Sequence, residues 1–210
     1  MSKLQEISDL VIAGKAKLVV AAAETALQEG EAAIDILNTM IGAMGVVGEK
    51  FKLNEIFVPE MLVAARAMKK GVDVLKPHLA SGEAGACGKY IIGTVAGDLH
   101  DIGKNLVIMM VESAGFEVID LGVDVPKEKF VEAYLENPDA KIIGVSALLT
   151  TTMGAMEEAV ALLNEQEFRS KIKVMVGGAP ITEEFAKQIG ADAFTPDAAS
   201  AAEKAKELVS

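Results

Sequence analysis

The feature of this sequence that most restricts its fold is a regular alternation of two kinds of segment after residue 89. Short runs of β-branched and other apolar residues, typical of buried strands, are separated by stretches with the apolar periodicity of helices. The predicted strands lie at 90–95, 116–121, 142–146, 172–176 and 193–195. The predicted helices lie at 102–114, 127–136, 152–167, 183–189 and 198–209. Strands that are apolar on both faces and alternate with helices predict an α/β fold with a five-stranded parallel sheet, covered by helices on both sides.

The first 75 residues follow a different pattern, because their apolar residues recur every three or four positions between residues 4 and 75. This spacing predicts four helices in a small bundle, with Pro59 in the first turn of the last helix. Three glycines stand where helices are expected to end: Gly14, Gly30 and Gly71. A stretch rich in Gly, Pro, Ala and Ser is typical of a linker. The predicted organisation is a helical domain at 1–76, a linker at 77–88 and the sheet domain at 89–210.

Composition and charge exclude several classes of partner. Twenty basic and 31 acidic residues give a net charge of −11, which repels nucleic acid phosphates and anionic lipid headgroups. No apolar run approaches the roughly 18 residues of a membrane span, and charges at Lys3, Glu6 and Asp9 interrupt the start where a signal peptide would be apolar. The sequence therefore predicts a cytoplasmic protein that binds neither nucleic acid nor membrane. The single cysteine, Cys87, excludes an internal disulfide and a cysteine-cluster metal site.

Ligands of parallel sheets bind beyond the carboxyl ends of the strands, and the loop after the first strand carries unusual residues. It reads Gly-Asp-Leu-His-Asp-Ile-Gly-Lys-Asn at 97–105 and places His100 between Asp98 and Asp101. A carboxylate beside an imidazole can accept one ring N–H, fix the tautomer and make the other nitrogen more basic, which suits a metal ligand or a general base. The alternative is a helix N-terminus capped by Asp98 or Asp101, with His100 merely exposed. These residues alone do not decide between the two. The other histidine, His78, is interpreted as a solvated residue at a helix end.

Two further strand ends carry hydroxyl groups and glycines. The third strand is followed by Ser-Ala-Leu-Leu-Thr-Thr-Thr-Met at 146–153, which holds more hydroxyls than a helix cap needs and suggests a polar ligand. The fourth strand ends at Gly177 and Gly178, where a missing side chain permits either close approach of a ligand or a tight turn. The three strand ends together fit one large ligand lying across the carboxyl edge of the sheet.

The pattern Asp98-x-His100-x-x-Gly103, followed by Ser146-x-Leu148 and Gly177-Gly178, resembles the cobalamin-binding fingerprint of the Rossmann-like B12 domains. The stretches 44–51 and 56–62 resemble the helical cap of the methionine synthase type. The resemblance covers about residues 4–210. A cap followed by a B12 domain is the layout of the corrinoid proteins of anaerobic methyltransferase systems, which carry a methyl group on cobalt between two separate methyltransferases.

The resemblance implies that cobalamin or another cobamide is bound base-off, with His100 as the lower cobalt ligand. Asp98 is then expected to hold the other ring nitrogen, and Thr152 to continue the relay where methionine synthases have a serine. Other residues of the first loop are implied to contact the cofactor: Gly97, Leu99, Asp101, Ile102 and Gly103. The displaced nucleotide tail is implied to enter a slot along the sheet lined by Ser146, Leu148, Gly177, Gly178, Ala179 and Ala198, with Thr150 near the corrin amides. The cap is implied to cover the upper corrin face with Phe51, Val58 and Met61, although without the family their spacing is typical of a helix core.

The implied function is a methyl carrier that is not catalytic by itself. One methyltransferase moves a methyl group from a one-carbon substrate to the cobalt, a second passes it to tetrahydrofolate or coenzyme M, and a reductive activase is the further expected partner. Methanol, methylamines, betaines and methoxylated aromatics are the substrates of such systems, and an O-demethylase system acting on the last is our working expectation. Three alternatives stay open. The first is the small subunit of an adenosylcobalamin mutase, although such subunits lack a cap. The second is a B12-sensing regulator, although it would need a DNA-binding module, and the third is a flavodoxin-like domain unrelated to cobalt.

Overall fold

The structure is a computed structural model that describes residues 2–79 and 87–210. The described residues form two compact units. The first contains the residues up to 79 and is grouped with the short segment Glu112–Phe116, and the second contains the remaining residues from 87 onward. The predicted linker begins in a 3-10 turn at Lys76–His78, and its residues 80–86 lie outside the described part of the chain.

The helical unit contains four helices, as the apolar periodicity predicts. They are α1 (Lys3–Ile12), α2 (Ala16–Gln28), α3 (Ala33–Lys52) and α4 (Val58–Leu75). Gly14 and Gly30 follow the ends of α1 and α2 with positive φ angles of 66° and 94°, a conformation that glycine adopts without strain. Pro59 lies in the first turn of α4, where its missing N–H has no helical partner to lose.

Gly71 is the exception among the three glycines, and the prediction that a helix ends there is wrong. It lies inside α4, which continues to the buried Leu75. A Cβ at Gly71 would lie 2.5 Å from Sδ of Met40 and 2.9 Å from Cγ1 of Val19. The glycine therefore serves the close packing of α4 against α2 and α3 rather than a helix end.

The second unit is a five-stranded sheet in which every pair of neighbouring strands is parallel. Its strands are β1 (Lys89–Thr94), β2 (Glu117–Asp120), β3 (Ala140–Ser146), β4 (Lys173–Gly177) and β5 (Ala193–Phe194), in the order β2-β1-β3-β4-β5. The intervening helices are α5 (Ile102–Ser113), α6 (Lys127–Glu136), α7 (Met153–Asn164), α8 (Glu183–Gln188) and α9 (Ala198–Val209). This confirms the predicted flavodoxin-like, Rossmann-like architecture, because the strand order 2-1-3-4-5 is that of the doubly wound folds of this type.

The sheet register brings three strand ends to one level. Thr94 of β1 pairs with Ser146 of β3, and Ser146 pairs with Gly177 of β4. The chain leaves β1 and β3 toward opposite neighbours, which makes the edge between these two strands the topological switch point where ligands of such sheets bind. The core beneath is aliphatic and includes Ile91, Ile143 and Val174, all inaccessible to solvent. None of the helices in the described part of the chain combines the length and apolarity that a membrane span needs.

Candidate functional site

The loop between β1 and α5 holds a histidine–aspartate pair. Nδ1 of His100 lies 2.7 Å from Oδ1 of Asp98, and the backbone N–H of His100 donates to the same oxygen at 3.1 Å. The side chain therefore bends back onto its own loop. Since Asp98 is an acceptor when ionised, the pair fixes the tautomer that carries its proton on Nδ1 and leaves the lone pair on Nε2.

The second oxygen of Asp98 bridges to the loop after β3. Oδ2 accepts the backbone N–H of Leu148 at 2.7 Å and lies 2.9 Å from the hydroxyl of Thr152. That hydroxyl is also 3.0 Å from the carbonyl of Leu149, and the charged carboxylate is the stronger acceptor for its one proton. All four acceptor positions of Asp98 are thus occupied, and the two loops are tied together across the switch point.

The environment of Asp98 keeps it ionised. The side chain is completely buried, and this burial by itself raises the pKa of the carboxyl group. The hydrogen bonds outweigh burial: the N–H of Leu148, the ring and the N–H of His100, and the hydroxyl of Thr152 hold the pKa of Asp98 below its usual range. A buried carboxylate with four donors is a fixed negative charge behind the imidazole.

His100 itself is half exposed, with 48% of its side chain accessible. Within residues 2–79 and 87–210, Nε2 has no hydrogen-bond partner. Asp101 is the residue before α5: its carbonyl accepts the N–H of Asn105 at 2.8 Å and its carboxylate accepts the side-chain amide of Asn105 at 3.2 Å, so a cap by this side chain stays a prediction. Asp98 has a different task, because its bonds go to His100 and the β3 loop.

Large apolar side chains stand in solvent on the same two loops. Leu99 and Ile102, on either side of His100, are 73% and 78% exposed. Leu148 and Leu149 of the loop after β3 are also exposed. An exposed apolar surface around an imidazole with a free nitrogen fits a flat, largely apolar macrocycle that carries a metal at its centre. The residues present therefore fit a corrin ring.

The two glycines predicted to line the slot at the end of β4 have different roles in the structure. A Cβ at Gly178, whose φ is 134°, would overlap the carbonyl oxygen of Ala147, so the protein's own backbone requires this glycine. A Cβ at Gly177 would meet only the carbonyl oxygen of Thr195, at 3.4 Å, so packing leaves a side chain's space open there. Within the described residues the hydroxyl of Ser146 has no hydrogen-bond partner. The space at Gly177 and the free hydroxyl fit the polar tail of a ligand.

The other predicted contacts lie near this edge or in the helical unit. Thr150 is exposed and begins the 3-10 turn after β3, Ala179 follows the glycine pair, and Ala198 is the buried first residue of α9 after β5. In the helical unit, Phe51 near the end of α3 and Val58 at the start of α4 are partly exposed, whereas Met61 is buried. The burial of Met61 is that of a core residue, and the roles of all three in covering a ligand stay predictions.

The structure adds a residue that sequence reasoning missed. Asp124, in the turn after β2, has a φ of 53°, one of two positive φ angles at non-glycine residues in the described chain. Its Oδ1 accepts the N–H of Gly97 at 2.7 Å, and its own N–H donates to the carbonyl of Asp98 at 3.0 Å. These reciprocal bonds hold the first two residues of the histidine loop. The available signal was a carboxylate just beyond a strand end, the rule that identified Asp98.

Two buried side chains brace the same loop. The hydroxyl of Thr94 donates to the carbonyl of His100 at 3.0 Å. Lys104, in the first turn of α5, donates to Oδ1 of Asp120 at 2.6 Å and to Oδ1 of Asn105 at 3.0 Å. The loop is therefore held from β1, from the end of β2 and from the loop after β3.

A parallel sheet with a carboxylate-oriented imidazole exposed at its switch point has the architecture of a ligand-binding α/β domain. Comparison with protein families identifies the class of ligand. A family model described as a B12 binding domain matches residues 88–206, and a second model with the same description matches residues 3–76. The chain therefore belongs to the B12-binding family and binds cobalamin or a related corrinoid.

The relatives place the chain more closely within that family. It is 46% identical over 207 residues to dimethylamine corrinoid protein 2 of Methanosarcina mazei, which covers 98% of this chain and 96% of that protein. A cobalamin-binding protein from Desulfitobacterium hafniense has a solved structure that superposes with a TM-score of 0.83 at 31% identity, covering 99% and 98% of the two chains. The methanol:cobalamin methyltransferase complex of Methanosarcina barkeri gives a TM-score of 0.86 at 29% identity, covering 99% of this chain and 79% of the other. Within the B12-binding family, the chain is a corrinoid protein of methyltransferase systems.

Proposed function

We propose that this protein carries a methyl group between a substrate-specific methyltransferase and a second methyltransferase, with His100 as the lower ligand of a base-off cobamide. The observation that carries this proposal is the buried Asp98 carboxylate, which fixes the tautomer of His100 and leaves Nε2 free at an exposed apolar edge. When bound, the corrinoid supplies a cobalt ion that can accept a methyl group and release it. The protein supplies the ligand, its orientation and the binding surface.

The chain's own groups hold one proton in a defined place. Because Asp98 stays ionised, the proton of the neutral imidazole resides on Nδ1, at 2.7 Å from Oδ1. The negative charge behind the ring increases the basicity of Nε2 toward a metal. Thr152 and the N–H of Leu148 keep Oδ2 from turning toward the ring, so we assign Thr152 the positioning role expected of it.

The nucleotide tail is proposed to occupy the strand-end slot. The space at Gly177 would admit it, and the free hydroxyl of Ser146 can bond a polar ring atom. Leu148 contributes both its backbone N–H to Asp98 and an exposed side chain to the apolar edge. The resemblance implies that Phe51 and Val58, both partly exposed, shield the other face of the corrin.

The matched helical unit favours the methyl carrier over the small subunit of an adenosylcobalamin mutase. The B12-binding model that matches residues 3–76 covers the part of the chain that a mutase small subunit lacks. The relative named for dimethylamine supports a methylamine as the first methyl donor to test, and the methanol complex makes methanol the second. An O-demethylase system, our working expectation from the sequence, stays a prediction to be tested beside them.

Spin resonance tests the ligand. The cobamide-loaded protein is prepared in its Co(II) form with natural and with nitrogen-15-labelled histidine, and coupling to the axial nitrogen is recorded. The expected result is a change in the coupling pattern on labelling, which is lost in His100→Ala but kept in His78→Ala. Coupling to the benzimidazole nitrogen of the cofactor, unchanged by the label, would contradict His100 ligation.

A further inference from the structure

The helical unit carries a groove that the B12 chemistry does not use. It has a volume of about 570 Å³ and lies between the turn joining α1 to α2, the start of α2 and the middle of α4. Its lining residues are Gly14, Lys15, Ala16, Lys17, Leu18, Val20, Val63, Arg66 and Lys70. Every wall comes from the helical unit itself. None of its lining residues belongs to the strand-end loops around His100.

The charge of this groove is opposite to that of the protein. The chain has a net charge of −11, yet the lining contains four cationic side chains and no acidic one. Lys70 has an acidic neighbour, Asp73, at 3.7 Å. Lys15, Lys17 and Arg66 have no ion-pair partner within the described residues. A cationic surface of this kind attracts a negatively charged group locally, while the rest of the molecule repels it.

The start of α2 adds to the positive potential of the groove. Its first turn has no acidic residue, and no side chain caps its free N–H groups. Acidic residues are favoured at this end of a helix, because the helix dipole makes it positive. Lys15 and Lys17 stand there instead, against that preference, and they increase the positive potential of the groove rather than neutralising it.

Apolar side chains occupy the middle of the groove. Leu18 is 55% exposed and Val63 is 50% exposed. Gly14, with a φ of 66°, lets the α1–α2 turn pack directly against Val63, since a Cβ there would overlap Cγ1 of that valine. Two exposed aliphatic residues surrounded by cationic side chains have the composition of a protein interface, an apolar centre with a polar rim.

We propose that this groove binds an acidic segment of a partner protein, with an apolar side chain of that segment seated between Leu18 and Val63. The four cationic side chains favour an acidic partner. The exposure of Leu18 and Val63 favours a protein over a small ligand, because sites for small ligands enclose most of the ligand's surface. Steering by the cationic rim orients the partner on an otherwise acidic molecule and speeds their encounter.

The test uses the chain of 210 residues and a fluorescent acidic peptide that contains two leucines spaced to lie on one helix face. Binding is followed by fluorescence anisotropy at low and at moderate salt. We expect Lys17→Glu and Leu18→Ser each to weaken peptide binding about tenfold, in the range of a single well-placed interface residue. Lys204→Glu is the control, since it makes the same charge change at a partly exposed lysine of α9, which pairs with Glu207, and its binding should equal that of the parent.

Three results would overturn the proposal. The first is equal binding by the parent and Lys17→Glu. The second is displacement of the peptide by inorganic triphosphate together with equally tight binding of a leucine-free acidic peptide, which would identify a small-anion site. The third is a dimer in sedimentation velocity that Lys17→Glu dissociates, which would make a second copy of this chain the occupant. None of these measurements involves the cofactor, so each outcome leaves the proposed methyl-carrier function to its own test.

Discussion

Asp98 shows how one buried side chain can organise a site. Its two oxygens accept from His100, Leu148 and Thr152, so the carboxylate links a residue two positions away to a loop about fifty residues further along the chain. Such a group is difficult to replace, because removing any donor leaves part of a buried charge without a partner. The residue types of the first loop predict a pairing of His100 with a neighbouring carboxylate, whereas the role of Thr152 is implied only by the resemblance to methionine synthases. The bond from the N–H of Leu148 could not be predicted, because a backbone N–H does not depend on the residue type.

Thr152→Val tests the importance of the hydroxyl on Oδ2. Valine has nearly the same shape, so the change removes one donor to Asp98 and little packing. We expect the free energy of unfolding to fall by about 1–3 kcal/mol, the range for a buried group left without its partner. Chemical denaturation of the cofactor-free protein measures this change. Thr152→Ser, which keeps the hydroxyl, should stay close to the parent, and equal stability of the valine and serine variants would contradict the assigned bond.

Asp124→Ala tests the clamp on the start of the histidine loop. The variant loses the acceptor for the N–H of Gly97, and we expect cobamide affinity to fall about 10- to 100-fold, as for other groups that position a metal ligand. Asn54→Ala is the matched control, because Asn54 is the other non-glycine residue with positive φ in the described chain, at 57°. Both variants should lose similar stability from placing alanine at positive φ.

Isothermal titration with aquocobalamin separates the two effects. The clamp predicts weaker binding for Asp124→Ala alone and recovery in Asp124→Asn, which keeps an acceptor oxygen and tolerates positive φ. Equal losses of affinity in Asp124→Ala and Asn54→Ala would mean that backbone strain, and not the bond to Gly97, matters at this position.

At the level of secondary-structure elements, the strands could be predicted from the sequence, but the roles of individual glycines could not. Alternating segments predicted all five strands and their parallel arrangement, because fully buried parallel strands have a composition of their own. The same reasoning treated Gly71 as a helix end and Gly177 and Gly178 as equivalent. Both questions depend on what lies opposite each glycine in space, such as Met40 or the carbonyl of Ala147, and neighbours distant in sequence leave no local pattern.

The adjacent glycines of β4 offer a paired experiment. Gly178→Ala should destabilise the protein strongly, because alanine at a φ of 134° would overlap the carbonyl oxygen of Ala147. Gly177→Ala should fold with nearly parental stability, since its Cβ would meet Thr195 only at 3.4 Å. If the nucleotide tail lies in this slot, Gly177→Ala should nevertheless weaken cobamide binding.

Thermal unfolding measures the stability of the two variants, and cofactor titration measures their affinity for the cobamide. A stable Gly177→Ala variant with parental cobamide affinity would remove this position from the proposed slot. A stable Gly178→Ala variant would contradict the backbone packing between the β3 and β4 loops.

At the scale of the whole molecule, the residues that carry chemistry are few. The sequence contains two histidines and one cysteine. His100 is assigned to the cofactor, and His78 ends a 3-10 turn after α4. The carboxylate of Asp98 is saturated by hydrogen bonds and buried, so it cannot act as an acid or base toward a methyl donor. A division of labour, in which this protein binds and orients the corrinoid and its partners activate the bond of the methyl donor, stays a prediction.

This division predicts that the isolated protein does not demethylate anything. We load it with cobamide, reduce it and mix it separately with dimethylamine, methanol and a methoxylated aromatic. In each case we expect the corrin absorbance spectrum to stay unchanged, because no side chain assigned here can activate the C–N or C–O bond of the donor. Addition of the cognate methyltransferase should change the spectrum with one donor only, and a second methyltransferase with its acceptor should reverse the change.

The donor that gives the change identifies the substrate system, with dimethylamine expected from the relatives. A spectral change with a donor and no added methyltransferase would contradict the carrier assignment, whereas loss of the reversible change in His100→Ala, with the cofactor still bound, would show that the carrier depends on this imidazole.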